Sequence, residues 1–355
     1  MYKKMPKEST LHETYISRCL DLARLGLGHT APNPLVGSVI VREGRIIGEG
    51  YHQQYGGPHA EVNAVNEVRD KKLLTDSVLY VNLEPCSHTG KTPPCADMII
   101  QAGIPEVVIG TSDPNPLVSG KGIKKLEQNG VKVTCNVLSR ECRELNNRFF
   151  TFHTRRRPYI VLKWARTSDG FIDMLRDKDS LSQPVWISNE ISRMLVHKWR
   201  TEEQAILVGT RTALMDNPRL NAREWPGKSP VRMVIDRELK LPKYLNLFDN
   251  SQKTLVFNGQ KSFTEAETHY IRLDFAGSVL EQLLSYLYKT GIQSVFVEGG
   301  RKLINSFIEE DCWDEARVLV GPKQFGAGIP SPEILTVKPL SYPIREDLLL
   351  VYHNQ

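Results

Sequence analysis

The chain has 355 residues, more than a single hydrophobic core usually serves, and this length predicts two domains. Its composition, 40% hydrophobic and 25% charged, is typical of a soluble globular protein. The formal net charge of +5 permits a small anionic substrate, and the basic residues form no long run, so we expect no nucleic-acid partner. No stretch of about 18 apolar residues occurs, so we expect no membrane-spanning segment.

The six cysteines are sparse and show no dense disulfide pattern. The first ten residues, MYKKMPKEST, lack the apolar stretch of a secretory signal. We therefore expect a reducing, cytoplasmic location, in which neighbouring cysteines bind metal more often than each other.

Hydrophobic periodicity predicts alternating helices and strands in the first half of the chain. A first helix is predicted over residues 11–29, ended by the Ala-Pro-Asn-Pro that follows, and a hairpin turn is predicted at Glu43-Gly44. The other predicted elements are strands over 36–41 and 45–48, a helix over 59–69, a strand over 78–83, a helix over 94–102, a strand over 106–110, a helix over 123–128 and a strand over 131–134. This alternation predicts an α/β domain with a mostly parallel sheet and helices on both faces.

A basic stretch at residues 153–157 precedes a second α/β pattern, so we predict domains over residues 1–152 and 153–355. A helix over 188–201 is predicted to begin with Ser188 as its cap. The other predicted elements are strands over 159–164, 205–208, 232–235, 254–257 and 294–297, and helices over 280–288 and 302–309. The second domain is therefore also predicted to be α/β.

The strongest functional signal is His59-Ala-Glu61, followed by Pro85-Cys86 and then by Cys95. One imidazole and two thiolates are ligands that Zn²⁺ prefers, and three protein ligands leave a fourth position for water. Water on such a zinc ion loses a proton near pH 7 and becomes a nucleophile for an amidine-like ring carbon. Glu61, which follows the histidine by two residues, matches the acid/base of zinc deaminases. The sequence therefore predicts a catalytic zinc site.

Simpler interpretations exist for each of these residues. His59 alone is more often a helix cap, and a lone cysteine is more often a small core residue. A structural zinc module joined to a binding domain is a further alternative, against which the adjacent Glu61 argues. The combination of Glu61 with three ligand types favours catalysis over both alternatives.

The spacing of the two cysteines separates this chain from the general deaminase pattern. Eight residues lie between Cys86 and Cys95, whereas the general pattern has two. Together with Ala31-Pro-Asn-Pro-Leu-Val-Gly37, Asn82-Leu-Glu-Pro85 and Asp113-Pro-Asn-Pro116, this spacing closely resembles the RibD family of bifunctional riboflavin-biosynthesis proteins. The resemblance extends from about residue 15 to about residue 328. It implies a cytidine-deaminase-like three-layer domain followed by a dihydrofolate-reductase-like α/β domain.

The resemblance also implies a substrate, 2,5-diamino-6-ribosylamino-4(3H)-pyrimidinone 5′-phosphate. The deaminase removes its 2-amino group, and the reductase then converts the ribosyl chain to ribityl with NADPH. His88 and Lys91, between the two cysteines, are suited to a phosphate, and Asn33 and Asn115 are suited to reading the edge of a ring. The alternative for the two asparagines is a structural role in Asn-Pro turns.

No Gly-x-Gly-x-x-Gly fingerprint follows a strand in the second half. A buried strand does end in Gly299-Gly300 before a helix, which lets backbone amides approach a phosphate. The resemblance places the cofactor on Ala165, Trp186, Thr212, Asp216 and Gly300.

The ribose-phosphate positions that the resemblance implies are Arg200, Leu220, Arg223 and Glu298. Guanidinium groups suit a phosphate because they bind two of its oxygens at once, although surface ion pairs are the alternative role for both arginines. Lys163 and Glu298 are candidate proton donors to the opened sugar.

Two features depart from the family pattern. Asn217 stands where the family usually has a second aspartate, so a role that needs its charge is in doubt. The segment over residues 172–184 is longer than usual, and the substrate-binding serine before Trp186 is replaced near Pro184.

The competing hypothesis is a nucleoside or tRNA-base deaminase with a C-terminal RNA-binding module. The cysteine spacing and the lack of clustered basic and aromatic residues argue against it. We expect a small-molecule enzyme that assembles as a homo-oligomer, either a dimer or a tetramer.

Overall fold

The structure is a computed structural model that describes residues 8–87, 93–116, 118–175 and 185–354. The chain divides into two compact units, Met1–Arg156 and Arg157–Gln355. The boundary expected from the sequence, between residues 152 and 153, falls inside the helix Asn147–Arg155 of the first unit.

The first unit contains one five-stranded sheet in the order β2-β1-β3-β4-β5. Its elements are α1 (Glu8–Arg24), β1 (Gly37–Arg42), β2 (Arg45–Tyr51), α2 (Ala60–Glu67), β3 (Val78–Leu83), α3 (Cys95–Gln101), β4 (Glu106–Thr111), α4 (Lys121–Gln128), β5 (Lys132–Thr134), α5 (Ser139–Leu145) and α6 (Asn147–Arg155). The pairings β3–β4 and β4–β5 are parallel, but β1 pairs antiparallel with both β2 and β3. The expectation of a mostly parallel sheet is therefore wrong here, because the hairpin contributes antiparallel pairings.

Two local predictions in the first unit have different outcomes. The hairpin turn at Glu43-Gly44 is confirmed, with positive φ angles of 50° and 73° that suit a two-residue turn. The first helix ends at Arg24 rather than at residue 29. Gly26 follows in the turn, and its backbone packs so closely on the carbonyl of His52 that a Cβ would lie 2.6 Å from that oxygen.

Alternating residues of the central strands divide the first unit into three layers. Val81 and Ile109 pack with residues of α2, α3 and α4 on one face of the sheet. Tyr80 and Val108 point to the other face and pack with residues of α1 and α5. This arrangement brings the chain just after β3 close to the starts of α2 and α3.

The second unit is built on a ten-stranded sheet in the order β11-β12-β10-β9-β8-β13-β6-β14-β17-β16. Its elements are β6 (Tyr159–Thr167), β7 (Phe171–Asp173), α7 (Glu190–Glu202), β8 (Ala205–Gly209), α8 (Thr210–Asp216), β9 (Val231–Ile235), β10 (Thr254–Asn258), β11 (Phe263–Glu265), β12 (Thr268–Arg272), α9 (Val279–Lys289), β13 (Ser294–Glu298), α10 (Arg301–Glu309), β14 (Glu315–Gly321), β15 (Ile329–Pro330), β16 (Leu340–Ile344) and β17 (Asp347–His353). In the order of the sheet, every pairing in the run β12-β10-β9-β8-β13-β6-β14 is parallel. Their carboxyl ends therefore meet at one edge, where α/β proteins usually bind ligands.

Both faces of this sheet are covered by helices. Leu162 and Val297 pack with residues of α9 and α10, whereas Val161 and Phe296 pack with residues of α7 and α8. In the ranges that the structure describes, no helix combines the length and the apolar character needed to cross a membrane.

The start of α7 differs from the prediction. Asn189, not Ser188, caps this helix, and its Oδ1 accepts the backbone N–H of Ser192 at 2.9 Å. The Asn189 amide nitrogen also donates to the carbonyl of Ile344 at 2.8 Å. A serine hydroxyl is too short to make both contacts from this position, so the longer amide ties α7 to β16.

Candidate active sites

Three candidate metal ligands meet in the first unit. The Nδ1 atom of His59 lies 3.2 Å from Cys95 Sγ and 3.6 Å from Cys86 Sγ. All three donor atoms lie within 4.8 Å of one another. A tetrahedral Zn²⁺ ion with bonds of about 2.0–2.3 Å to nitrogen and sulfur needs donor separations of this size. The donor chemistry and the spacing both fit zinc.

Two helix starts and one strand end bring these ligands together. His59 is the N-cap of α2, Cys95 is the first residue of α3, and Cys86 follows the end of β3. The backbone N–H of Cys95 donates to Cys86 Sγ at 3.3 Å. Unpaired N–H groups at a helix start stabilise a thiolate, so the fold supports the ligand form of the sulfur.

The protons of the cluster are distributed unevenly. Hydrogen bonds with Cys95 and His59 lower the pKa of Cys86. The contact with Cys86, together with burial, raises the pKa of Cys95. A hydrogen bond to Cys86 also raises the pKa of His59. The surroundings of Cys86 thus favour its thiolate, the form in which a cysteine binds a metal.

Glu61 lies in the first turn of α2 beside the ligands. Its side chain is 3% exposed, and burial raises its pKa. With His59 and Cys86 it lines a cavity of about 260 Å³. This volume is close to the lower end of small-molecule sites, about 300 Å³. The carboxyl group and the metal ligands therefore face the same ligand-sized space.

Asn33 lines the same cavity, and a histidine orients its amide. His52 Nδ1 lies 2.9 Å from the carbonyl oxygen of Pro58, which can only accept a hydrogen bond. Nδ1 therefore carries the proton, and Nε2 accepts the Asn33 amide N–H at 3.0 Å. This arrangement leaves Asn33 Oδ1 as an acceptor for a ligand. Asn33 was expected to read the edge of a ring, and that role stays a prediction, while the sequence reasoning missed His52.

Further cavity residues come from distant parts of the first unit. Asn115, expected to read a ring edge, lines the cavity with Asp113 and Phe149. Burial raises the pKa of Asp113 to about 7. Asp113 was present in the quoted motif but was not assigned a role. Phe149 lies on α6 and carried no local signal in the sequence.

Two predicted phosphate contacts of the first unit, His88 and Lys91, lie outside the described residues. Residues 88–92 lie between Cys86 and Cys95 in the sequence. Their proposed contact with a phosphate therefore stays a prediction.

A second cavity, of about 440 Å³, lies in the second unit. It brings together seven residues that the sequence singled out, namely Lys163, Trp186, Arg200, Asp216, Leu220, Arg223 and Glu298. Three further cationic or titratable residues that the sequence reasoning missed also line it, namely Arg193, His197 and Arg219. This excess of basic side chains suits an anionic ligand.

The strongest contact in this cavity is an ion pair between Arg200 and Glu298. Two parallel hydrogen bonds of 2.7 and 2.8 Å join the guanidinium to the carboxylate. A third guanidinium nitrogen donates to the carbonyl of Asn221 at 2.9 Å. Arg200 and Lys163 overcome the effect of burial and lower the pKa of Glu298 to about 2. The Arg200 guanidinium was expected to bind a phosphate, but two of its nitrogens already donate to the Glu298 carboxylate.

Three expected cofactor residues lie outside the lining of this cavity but near the carboxyl edge of the sheet. Gly300 is the N-cap of α10, and Thr212 lies opposite on α8. A Cβ on Gly299 or Gly300 would lie 3.3 Å from the Thr212 side chain, and both glycines have positive φ angles. Ala165 lies near the end of β6. The exposed amides at the start of α10 and this close packing fit a cofactor phosphate.

The two departures from the family pattern have different outcomes. Asn217 adopts a left-handed conformation with φ of 39°, which asparagine tolerates well. Its Oδ1 accepts the backbone N–H of Asn246 at 2.7 Å, so its described role is to fix a turn and requires no charge. Most of the long segment, residues 176–184, lies outside the described residues.

The comparisons with known proteins match both units. The model of the cytidine and deoxycytidylate deaminase zinc-binding region matches residues 9–111, and that of the RibD C-terminal domain matches residues 158–338. The riboflavin biosynthesis protein RibD of Aquifex aeolicus is 40% identical over 324 residues, which cover 90% of this chain and 89% of that protein. RibD of Bacillus amyloliquefaciens is 39% identical over 335 residues, which cover 92% and 88%.

Solved structures agree with this match. A diaminohydroxyphosphoribosylaminopyrimidine deaminase/5-amino-6-(5-phosphoribosylamino)uracil reductase from Thermotoga maritima superposes with a TM-score of 0.86. It is 37% identical, and the match covers 97% of this chain and 99% of that chain. The predicted fold class and the resemblance seen in the sequence motifs are confirmed. The chain belongs to the RibD family of riboflavin biosynthesis proteins, with a zinc-binding deaminase domain followed by an NADPH-dependent reductase domain.

Proposed function

We propose that the first unit hydrolyses the 2-amino group of 2,5-diamino-6-ribosylamino-4(3H)-pyrimidinone 5′-phosphate, and that the second unit then reduces the ribosyl chain of the product. The observation that carries the proposal is the convergence of His59, Cys86 and Cys95 beside the buried Glu61. The names of the relatives supply the substrate class, and the two cavities supply separate places for the two reactions.

The residues of the first unit have distinct proposed roles. His59, Cys86 and Cys95 hold zinc, which supplies a Lewis acid that lowers the pKa of a coordinated water. Glu61 would take a proton from the attacking water and give it to the ring nitrogen. It would then move the hydroxyl proton of the tetrahedral adduct to the amino group, which leaves as ammonia when the C–N bond breaks. Asn33, held by His52, accepts an N–H of the pyrimidine through its Oδ1.

The second unit holds a phosphorylated sugar next to the cofactor. Bound NADPH supplies the hydride, and the start of α10 at Gly300 receives one of its phosphates. Trp186, Asp216, Thr212 and Ala165 complete the proposed cofactor contacts.

The proposed contacts with the ribose phosphate involve residues of which two, Arg200 and Glu298, are already paired with each other. Arg223 and Leu220 line the cavity directly. Arg200 and Glu298 act as a pair, because each satisfies the charge of the other inside the protein. Removal of Glu298 would leave the buried Arg200 without its hydrogen-bonded carboxylate, and removal of Arg200 would leave Glu298 with Lys163 alone.

The competing roles are less well supported. A structural zinc module does not explain why Glu61 and the ligands share a cavity. An RNA-base deaminase does not explain a second unit that matches the RibD C-terminal domain. We also propose a cytoplasmic location, in keeping with six cysteines that form no disulfide. The homo-oligomer stays a prediction.

Replacement of Cys95 by serine is expected to lower the zinc content well below one ion per chain, because a serine hydroxyl is a poor zinc ligand. Elemental analysis of the purified protein measures this content. Cys135→Ser is the matched control, since Cys135 lies outside the ligand cluster, and it should retain its zinc. A Cys95→Ser protein with full zinc content would contradict the ligand assignment.

The Glu61→Gln substitution is expected to lower the deamination rate by about 10²–10⁴-fold, because glutamine cannot carry the proton. Zinc content should be unchanged. Ammonia release measures the effect, and Glu67→Gln, at the exposed end of α2, serves as the control. Activity within about tenfold of the wild type would show that another group is the acid/base.

The Arg200→Ala substitution is expected to raise the reductase KM by at least about tenfold, since Glu298 loses the one of its two cationic neighbours that is hydrogen-bonded to it and the carbonyl of Asn221 loses its donor. The assay follows NADPH oxidation with the deaminated pyrimidine as substrate. Arg272→Ala, on the exposed part of β12, provides the comparison. Deaminase activity should be unaffected. An equal loss of both activities would contradict the assignment of Arg200 to the reductase site.

A further inference from the structure

A buried carboxylate in the first unit has no role in the reaction described above. Glu84 follows the end of β3, is 4% exposed and precedes Cys86 by two residues. Its Oε2 accepts the backbone N–H groups of Asp113 at 3.2 Å and Gly120 at 3.0 Å. Its Oε1 accepts those of Gly122 at 3.0 Å and Ile123 at 3.3 Å.

These four hydrogen bonds occupy the carboxylate fully. A carboxylate group offers about four lone-pair positions, and each oxygen of Glu84 already accepts two N–H groups. The group therefore has no free position with which to accept a hydrogen bond from a substrate. Its contribution to catalysis must act through the segments that it holds.

The hydrogen bonds connect two parts of the active site. Gly122 and Ile123 lie in the first turn of α4, where backbone N–H groups have no partner within the helix. A Cβ on Gly122 would lie 2.0 Å from the carbonyl oxygen of Pro85, so the start of α4 rests on the backbone just before Cys86. The helix start is thereby fixed to the strand end that carries a metal ligand.

The bond from Asp113 reaches the substrate side of the cavity. Asp113 donates its N–H to Glu84, and its own Oδ1 accepts the N–H of Asn115 at 2.7 Å. Asp113 and Asn115 both line the cavity that contains His59. The Glu84 side chain thus links this recognition segment, residues 113–115, to the strand end that carries Cys86, in addition to the backbone bond from the Glu84 N–H to the carbonyl of Thr111.

We propose that Glu84 is a positioning residue of the deaminase. Its carboxylate fixes the segment carrying Asp113 and Asn115 against the strand end that carries Cys86. The pyrimidine ring is thereby held at the correct distance from the metal ligands. This inference rests on the deaminase function proposed above.

The test is the Glu84→Gln substitution in the zinc-loaded full-length enzyme. Glutamine has the same size, but its NH₂ group cannot accept hydrogen bonds, so one pair of backbone N–H groups loses its partner. The deaminase KM is expected to rise at least about tenfold, with kcat within about threefold of the wild type and zinc content unchanged. Glu84→Asp keeps the charge and should raise KM by a smaller factor.

Two comparisons make the result specific. Glu106→Gln removes a carboxylate from the neighbouring strand β4 and should leave KM unchanged. Reductase activity of each variant on the deaminated pyrimidine reports the integrity of the second unit. An unchanged KM in Glu84→Gln would overturn the inference, and so would a loss of zinc with a normal KM. An inactive wild-type deaminase would instead contradict the proposed function.

A measurement on the wild type keeps the inference testable if Glu84→Gln fails to fold. The amides of Gly122 and Ile123 have no acceptor within the helix, and both donate to Glu84 Oε1, so this carboxylate is expected to protect them from hydrogen exchange. Slow exchange of these two amides in the native enzyme is the expected result. Exchange at the rate of unprotected amides would overturn the inference.

Discussion

The first unit depends on one constraint, that three donor atoms from separate elements must converge within the span of one zinc ion. His59 and Cys95 stand at the starts of two helices, and Cys86 stands beyond a strand end. A small shift of either helix relative to the sheet would separate the donor atoms. Gly50 lets α2 approach the sheet closely, since a Cβ at this position would lie 2.4 Å from the backbone nitrogen of Ala64 on α2. The helix can therefore lie directly on β2, and its first residue is held in place by backbone contact.

In the second unit, charged side chains line a cavity at the hydrophobic sheet. The register of the parallel strands β6 and β13 places Lys163 directly beside Glu298. Arg200 reaches the same carboxylate from α7, and together the two cations keep Glu298 ionised in spite of its burial. Arg200 and Glu298 are already hydrogen-bonded to each other without a ligand. The pair therefore forms a rigid part of the cavity wall, and the Arg200 guanidinium is not free to bind a phosphate with both of these nitrogens. The reaction of a RibD reductase domain needs such rigidity, because the cofactor provides the chemistry and the protein provides the orientation.

The sequence predicted the parts of each site that depend on residue type and local spacing. A histidine, two cysteines and a neighbouring glutamate at this spacing have few explanations other than a zinc site. Nearby glycine and proline residues marked the helix starts at His59 and Cys95. The limits arise where partners are distant in the chain. Glu84 stood in a quoted motif, but its role carried no signal, because its acceptor atoms bind backbone N–H groups that any residue can supply. The commitment of Arg200 to Glu298 was equally hidden, since 98 residues separate the pair.

The central claim is that one RibD chain carries out both reactions in order. The most direct measurement adds the diamino-pyrimidinone ribosyl phosphate to the wild-type enzyme with NADPH and follows ammonia and NADPH absorbance together. The account predicts that ammonia appears first and that NADPH is then oxidised in equal amount. Oxidation of NADPH without release of ammonia would contradict the order, and release of ammonia without oxidation would contradict the reductase.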